Sequence, residues 1–282
     1  MLLSGAGGDD IFSGYRRHWA LRMEDKWSWL PWAVREGIAK KAKRPSRKNG
    51  FGGWLAKQPW KRRLDKMMMH ADLSEEDRLI AYFYWSEEQM RRSLYSDSLE
   101  SALSQVDTAQ PLRDSLSRIP MEADRLNRML YLEGKHFLAD HNLNYTDKAG
   151  MASGVEIRVP LLDADLVKFA ASIPPAMKQK GRMGKSIFKK AMESYLPTEI
   201  IYRPKSGFGA PLRHWLQHEL KDKVAEVLSE KSINNRGLFD PQAVQRLIEL
   251  DRNGRIDGAY TIFAMMCIEL WCRIFLDRKA GW

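Results

Sequence analysis

Met1-Leu2-Leu3-Ser4-Gly5-Ala6-Gly7-Gly8-Asp9-Asp10-Ile11-Phe12-Ser13-Gly14-Tyr15 is the stretch on which the reading of this chain turns. A short apolar run feeds a Ser- and Gly-rich turn, two carboxylates follow in succession, and the sequence then becomes rich in helix formers. Leu2 and Leu3 read as the end of a buried strand. Glycine has no Cβ, so such a turn lets backbone N–H groups and the Ser4 hydroxyl approach a ligand closely. A carboxylate beside the turn can hold a divalent cation that bridges phosphate oxygens. That chemistry describes a nucleotide site at the end of a strand. A tight strand-to-helix turn with a solvated acidic N-cap meets the same pattern. Gly5-Ala6-Gly7-Gly8 does not fit the G-x-G-x-x-G dinucleotide fingerprint.

Two later segments bear on the choice. Residues 147–163 read Asp-Lys-Ala-Gly-Met-Ala-Ser-Gly-Val-Glu-Ile-Arg-Val-Pro-Leu-Leu-Asp, and residues 203–212 read Arg-Pro-Lys-Ser-Gly-Phe-Gly-Ala-Pro-Leu. Taken in order, the three blocks resemble the synthetase domain of the glutamine-hydrolysing asparagine synthetases. That family carries Ser-Gly-x-Gly-x-Asp-Glu-x-Phe-x-Gly-Tyr, then Val-Glu-x-Arg-Val-Pro-x-Leu-Asp, then Arg-x-Lys-x-x-Phe. The likeness covers most of the chain up to Gln217 and resumes in the last helix.

The resemblance implies a mostly α chain: the C-terminal portion of an α/β adenine-nucleotide α-hydrolase-like (PP-loop ATP pyrophosphatase) synthetase domain. The family begins with a glutaminase domain whose N-terminal Cys is the nucleophile, and here Met1 is followed by Leu2. Its Ser-Gly-Gly-x-Asp-Ser pyrophosphate loop does not occur in these 282 residues either. Residues 1–282 are therefore expected to be a partial synthetase domain, lacking the glutaminase domain and the pyrophosphate loop.

The implied reaction has two steps. A side-chain carboxylate attacks the α-phosphorus of ATP and gives an acyl-adenylate and pyrophosphate; ammonia then displaces AMP and leaves an amide. The first step needs a divalent metal, Mg²⁺, on the leaving pyrophosphate and cations near the developing charge. It needs no protein nucleophile. By the resemblance, Ser4 and Gly5 contact the adenylate and Asp9 is the metal- and pyrophosphate-linked carboxylate. Asp10 stands where the family has Glu.

Lys205 is the candidate catalytic cation. It precedes Ser206-Gly207-Phe208-Gly209, so a flexible loop could carry its compact charge over the nucleotide. Glu156 and Arg158 lie two apart in an extended segment and share a face, as a substrate-binding pair or as a buried structural pair. Asp147 and Asp163 read as caps or scaffold. Ala6 departs from the family, where Glu handles the intermediate; alanine can neither accept a proton nor orient ammonia. That opens amidation of another carboxylate, in polysaccharide or peptide biosynthesis, beside asparagine formation from aspartate through a β-aspartyl-adenylate. A catalytically inactive remnant that serves as a binding partner is the third possibility. The expected partners are aspartate or another carboxylate, ammonia drawn from glutamine, and the upstream glutaminase and pyrophosphate-loop portion; a homo-oligomer is an open option.

Composition narrows the classes. Hydrophobic residues at 44% and charged residues at 29% describe an ordinary globular protein. No run approaches the roughly 18–20 apolar residues of a spanning helix, so no membrane partner is expected. Of the net charge of +10, much sits in Lys40, Lys41, Lys43, Arg44, Arg47, Lys48, Lys61, Arg62 and Arg63, with Trp54 and Trp60 interleaved. No nucleic-acid motif accompanies this cluster, which reads as a solvated basic insert. A positive field would also favour ATP and a carboxylate substrate.

The two cysteines, Cys267 and Cys272, form no C-x-x-C pair and read as buried, reduced thiols, which suits a cytoplasmic location. Gly184-Lys185-Ser186 lacks the first glycine of a Walker A loop, because Gln179 stands there. His214 and His218 lack a His-Glu-x-x-His frame and read as exposed.

Most of the chain reads helical. Ser74 starts a capping-box-like helix. Residues 121–138 form an amphipathic run. Helices are predicted over 163–173, ended by Pro174-Pro175, over 185–195, and over the apolar 257–277, with residues 44–53 as a loop.

Overall fold

The structure is a computed structural model and describes residues 1–43, 68–86, 88–204 and 209–277. The predicted loop at 44–53 and most of the basic cluster, Trp54 and Trp60 included, lie outside the described residues. Among those described the chain is mostly helical, with one two-stranded parallel sheet. It divides into two units: Met1–Phe83 with Thr108–Pro204, and Tyr84–Asp107 with Lys205–Trp282.

In the first unit, Leu2–Leu3 pairs with Ile157–Arg158. The Leu2 N–H donates to the Glu156 carbonyl and the Ser4 N–H to the Arg158 carbonyl, both at 2.8 Å. The expectation of a buried strand end is not met, since Leu2 is 59% and Leu3 70% exposed. A parallel strand is usually covered on both faces, and no described element covers these two leucines.

After the strand, the chain must turn sharply into the Gly8–Phe12 helix. Gly7 makes the turn at φ +86°, and a Cβ there would lie 2.3 Å from Leu162 Cδ2. The short helix buries Phe12, which stacks on Phe188 at 5.0 Å in a cluster with Ala170 and Ile173. Asp10 is buried on the same helix.

The amphipathic run at 121–138 breaks differently from its reading. Asp124 caps the Arg125–Leu132 helix through the Leu126 N–H at 2.7 Å, and Leu126, Met129 and Leu132 fill its buried face. The chain then continues as an eleven-residue π-helix, Glu133–Leu143, before the Asn144–Ala152 helix. π-Helices are rare and mostly single-turn features. No Pro marks the change of pitch, so the α-helical spacing gave no sign of it.

Elsewhere the caps act where the sequence puts them. Ser74 Oγ accepts from the Asp77 N–H at 3.1 Å. Asp163 accepts from Asp165 and Leu166 at the start of Ala164–Ser172. The helix expected over 185–195 is shorter, Ser186–Ala191, and tightens into a 3₁₀ turn at Met192–Ser194.

The second unit is a helical cluster around Val224, Leu228, Val244, Ile248, Ile262 and Met266. The Ala259–Phe275 helix supplies its apolar spine, as the sequence predicted. The Tyr84–Asp107 segment joins by backbone: Ser96 N–H to Leu238 O at 3.0 Å and Asp240 N–H to Leu94 O at 2.9 Å. Cys272 is buried, but Cys267 is exposed, because only one face of this helix turns inward. No described helix is long and apolar enough to cross a membrane.

Candidate functional site

The Ser4–Gly8 turn closes on itself: the Ala6 N–H donates to Ser4 Oγ at 3.2 Å. A Cβ built at Gly5 would meet nothing within 4 Å, so the turn is open on that side. Asp9 and Asp10 follow in the first turn of the helix, where carboxylates suit the unpaired N–H groups.

The two carboxylates face opposite surroundings. Asp9 is partly exposed, and Lys185 Nζ lies 2.7 Å from its Oδ1. Asp10 is 1% exposed and accepts from the Tyr15 hydroxyl at 3.2 Å. Asn142 Nδ2 donates to that hydroxyl in turn at 3.3 Å. Burial first, and then the nearby Glu133, push the Asp10 carboxyl up to about 6. Burial and then Asp10 also raise the Tyr15 phenol, which therefore stays a donor. Asp10 lies in the interior, turned towards Tyr15, which leads into the Arg16–Glu24 helix. Beneath it, the buried Glu133 carboxylate takes Arg17 through both of its oxygens and meets His18 Nε2 at 3.2 Å. Burial pushes the His18 pKa down.

Lys185 reaches Asp9 because the 179–186 segment docks on the end of the Gly8–Phe12 helix. The Lys185 N–H donates to the Phe12 and Ser13 carbonyls at 3.0 and 3.2 Å. A Cβ at Gly184 would sit 2.1 Å from the Ser13 carbonyl oxygen, so only glycine allows this approach. Ser13 Oγ donates to the buried Gln179 Oε1 at 2.8 Å. Sequence reading passed over Lys185 as part of a failed Walker A loop. The usable signal was a lysine at the start of a predicted helix: a cation there opposes the helix dipole and calls for an anion nearby.

Ser4, Gly5 and Asp9 thus share one turn, and strand pairing brings Glu156 and Arg158 alongside it. Arg158 Nη2 lies 2.7 Å from Glu156 Oε1, with the side chains 64% and 56% exposed. They form a pair, but not a buried one. Lys205 lies outside the described residues. Asp163 is a cap, whereas Asp147 sits in the first turn of Asn144–Ala152 without capping it. The His214 and His218 rings stack at 4.3 Å.

Among the described residues, no group of three or more His, Cys, Asp or Glu side chains could hold a metal. Mg²⁺ is commonly held by one or two carboxylates plus substrate phosphates. The donor set here, Asp9 alone, would fit such a cation as a single carboxylate ligand, and in this structure that carboxylate is paired with Lys185.

The sequence pattern of the asparagine synthase family matches residues 1–273. A Mycobacterium tuberculosis protein provisionally named a glutamine-hydrolysing asparagine synthetase is 27% identical over 287 residues, covering 99% of this chain and 40% of its own length. Glutamine-hydrolysing asparagine synthetase 1 of Bacillus subtilis is 28% identical over 154 residues, 55% of this chain and 24% of its own. The amidase chyE of Penicillium rubens is 24% identical over 261 residues, 88% of this chain and 38% of its own. The chain thus spans at most about two-fifths of the length of these relatives. No solved structure matches it.

Proposed function

This chain belongs to the asparagine synthase family, and on that premise we propose that it carries the ATP-dependent, amide-forming half of a glutamine-hydrolysing asparagine synthase-type ligase. A substrate carboxylate oxygen bonds to the α-phosphorus of ATP, and the bond from that phosphorus to the bridging oxygen breaks, releasing pyrophosphate. Ammonia then bonds to the acyl carbon, loses a proton, and AMP departs. Mg²⁺ supplies charge neutralisation on the leaving pyrophosphate.

The observation that carries the reading is the Asp9–Lys185 pair at the open Gly-rich turn. It offers one anionic oxygen for a cation and one ammonium for phosphate oxygens, next to backbone that can approach a nucleotide. Ser4 and Gly5 position the adenylate, and Lys205 supplies the cation that follows the developing charge. Glu156 and Arg158, exposed beside the turn, are placed to meet the carboxylate substrate. Ammonia supply and the pyrophosphate loop come from polypeptide outside these residues.

Aspartate is the first substrate, giving asparagine through β-aspartyl-adenylate. Ala6 favours a second reading, the amidation of another carboxylate, because no side chain at that position can take a proton from ammonia. The test supplies ATP, Mg²⁺, ammonia and either aspartate or a panel of carboxylates to the chain joined to a pyrophosphate-loop segment of a relative. Pyrophosphate and product are followed by mass spectrometry. Asparagine supports the first reading and another amide the second. ATP that neither binds nor turns over would leave the inactive remnant.

A further inference from the structure

A cleft of about 510 Å³ opens on the first unit, and Ser4, Gly5 and Asp9 do not line it. Trp19, Arg22, Met23 and Lys26 form one wall, and Gln179 and Arg182 stand on the other. No carboxylate lines it. Arg22 is partly neutralised by Asp124 at 3.2 Å and Asp25 at 3.7 Å. Lys26 and Arg182 meet no carboxylate among the described residues.

Arg182 is not a loose surface arginine. Lys180 and Met183 exchange backbone hydrogen bonds, each at 2.9 Å, and the tight turn between them presents Arg182. Its guanidinium lies 5.3 Å from the centroid of the Trp19 ring. That stacking fixes the cation over an aromatic face while leaving its outer N–H fork available. Three cations around one concavity repel each other and raise the local concentration of anions. The volume falls within the range of about 300–1,000 Å³ usual for small-molecule sites.

We propose that this cleft is a binding site for a phosphomonoester dianion. Arg182 and Lys26 grip the phosphoryl group from opposite walls, and Met23 with the Trp19 edge covers the organic part. The space suits a nucleoside monophosphate, and inorganic phosphate presents the same recognition chemistry at lower occupancy of the cleft. Gln179 belongs to the lining and also holds Ser13 Oγ, so the cleft adjoins the Asp9–Lys185 pair without sharing a charged residue with it. The proposal does not rest on the amide-forming reaction.

The test is equilibrium dialysis of the 282-residue chain against AMP and, separately, inorganic phosphate, in EDTA at low ionic strength. Saturable binding of AMP is expected, with inorganic phosphate competing. Lys26→Glu and Arg182→Glu should each weaken it by roughly tenfold or more, a loss of about 1.4 kcal/mol or greater. Lys26 is exposed, so its reversal leaves the fold intact, and circular dichroism confirms this for both variants. Equal affinity for AMP and phosphate would assign recognition to the phosphoryl group alone, within the same chemistry. No binding to the wild-type chain would overturn the proposal. So would binding that survives both reversals, or binding lost only in Lys185→Met, which would place the anion at the Asp9 turn.

Discussion

Asp9 and Asp10 are chemically identical neighbours, and the fold gives them opposite work. Asp10 is buried with its carboxyl raised to about 6, so between about pH 4 and 6 the native state holds a proton that the unfolded chain has lost. Stability from this group is therefore full below the unfolded value and falls as pH rises through 6. Asp10→Asn removes that loss. Urea unfolding of both proteins should show the variant gaining on wild type from pH 4 to 7 by roughly 2–3 kcal/mol, with the His18 contribution cancelling in the difference. A flat difference would refute the assignment. Asp9→Asn should instead raise the Mg²⁺ concentration needed for nucleotide binding, read by calorimetry of ATP against a Mg²⁺ series, while Asp10→Asn leaves it unchanged. The sequence marked Asp9 through its block, but it could not show which carboxylate faces inward. That depends on Tyr15, Asn142 and Glu133, which converge only in three dimensions.

At the scale of elements, sequence was legible where one local force decides. The caps at Ser74 and Asp163 and the apolar run of Ala259–Phe275 are of this kind. It was not legible where tertiary partners decide. The Glu133–Leu143 π-helix starts at a carboxylate that is fully buried against Arg17 and His18. Glu133→Ala should cost on the order of 3–5 kcal/mol, because Arg17 loses the carboxylate that compensates its partly buried charge. Thermal unfolding measures it, and a change within about 0.5 kcal/mol, the usual range for surface substitutions, would show that the π segment stands without this contact. On Ala259–Phe275, apolar residues surround the helix and hide which thiol faces out. Native protein should give one equivalent of thiol to a disulfide reagent, from Cys267, and a second only after unfolding exposes Cys272.

For the whole molecule, the three sequence blocks made the family legible, while the division into two units was not. Composition does not change at Phe83 or Asp107, and the Pro- and Gly-rich stretch at 204–211 reads as a loop that carries Lys205 rather than as a boundary between units. The family assignment and the span of about two-fifths of the relatives' length together set the last expectation. The 282 residues alone should release little pyrophosphate from ATP, and joining them to a pyrophosphate-loop segment should raise the rate by at least about tenfold in the same assay. Equal rates would show that the loop is dispensable.

The interleaving of the units also bears on how the protein is made. Ser96 Oγ donates to the Gly237 carbonyl across 141 residues, and the Tyr95–Phe239 bridge lies beside it. At roughly 5–20 residues per second on the ribosome, the Tyr84–Asp107 stretch waits on the order of 7–30 s for its partners to emerge. The other unit contains no residue beyond Pro204. The nascent chain therefore passes through a stage in which all residues of one unit have emerged while the helical segment of the other still lacks its partners. During that interval chaperones have their longest access to residues 84–107.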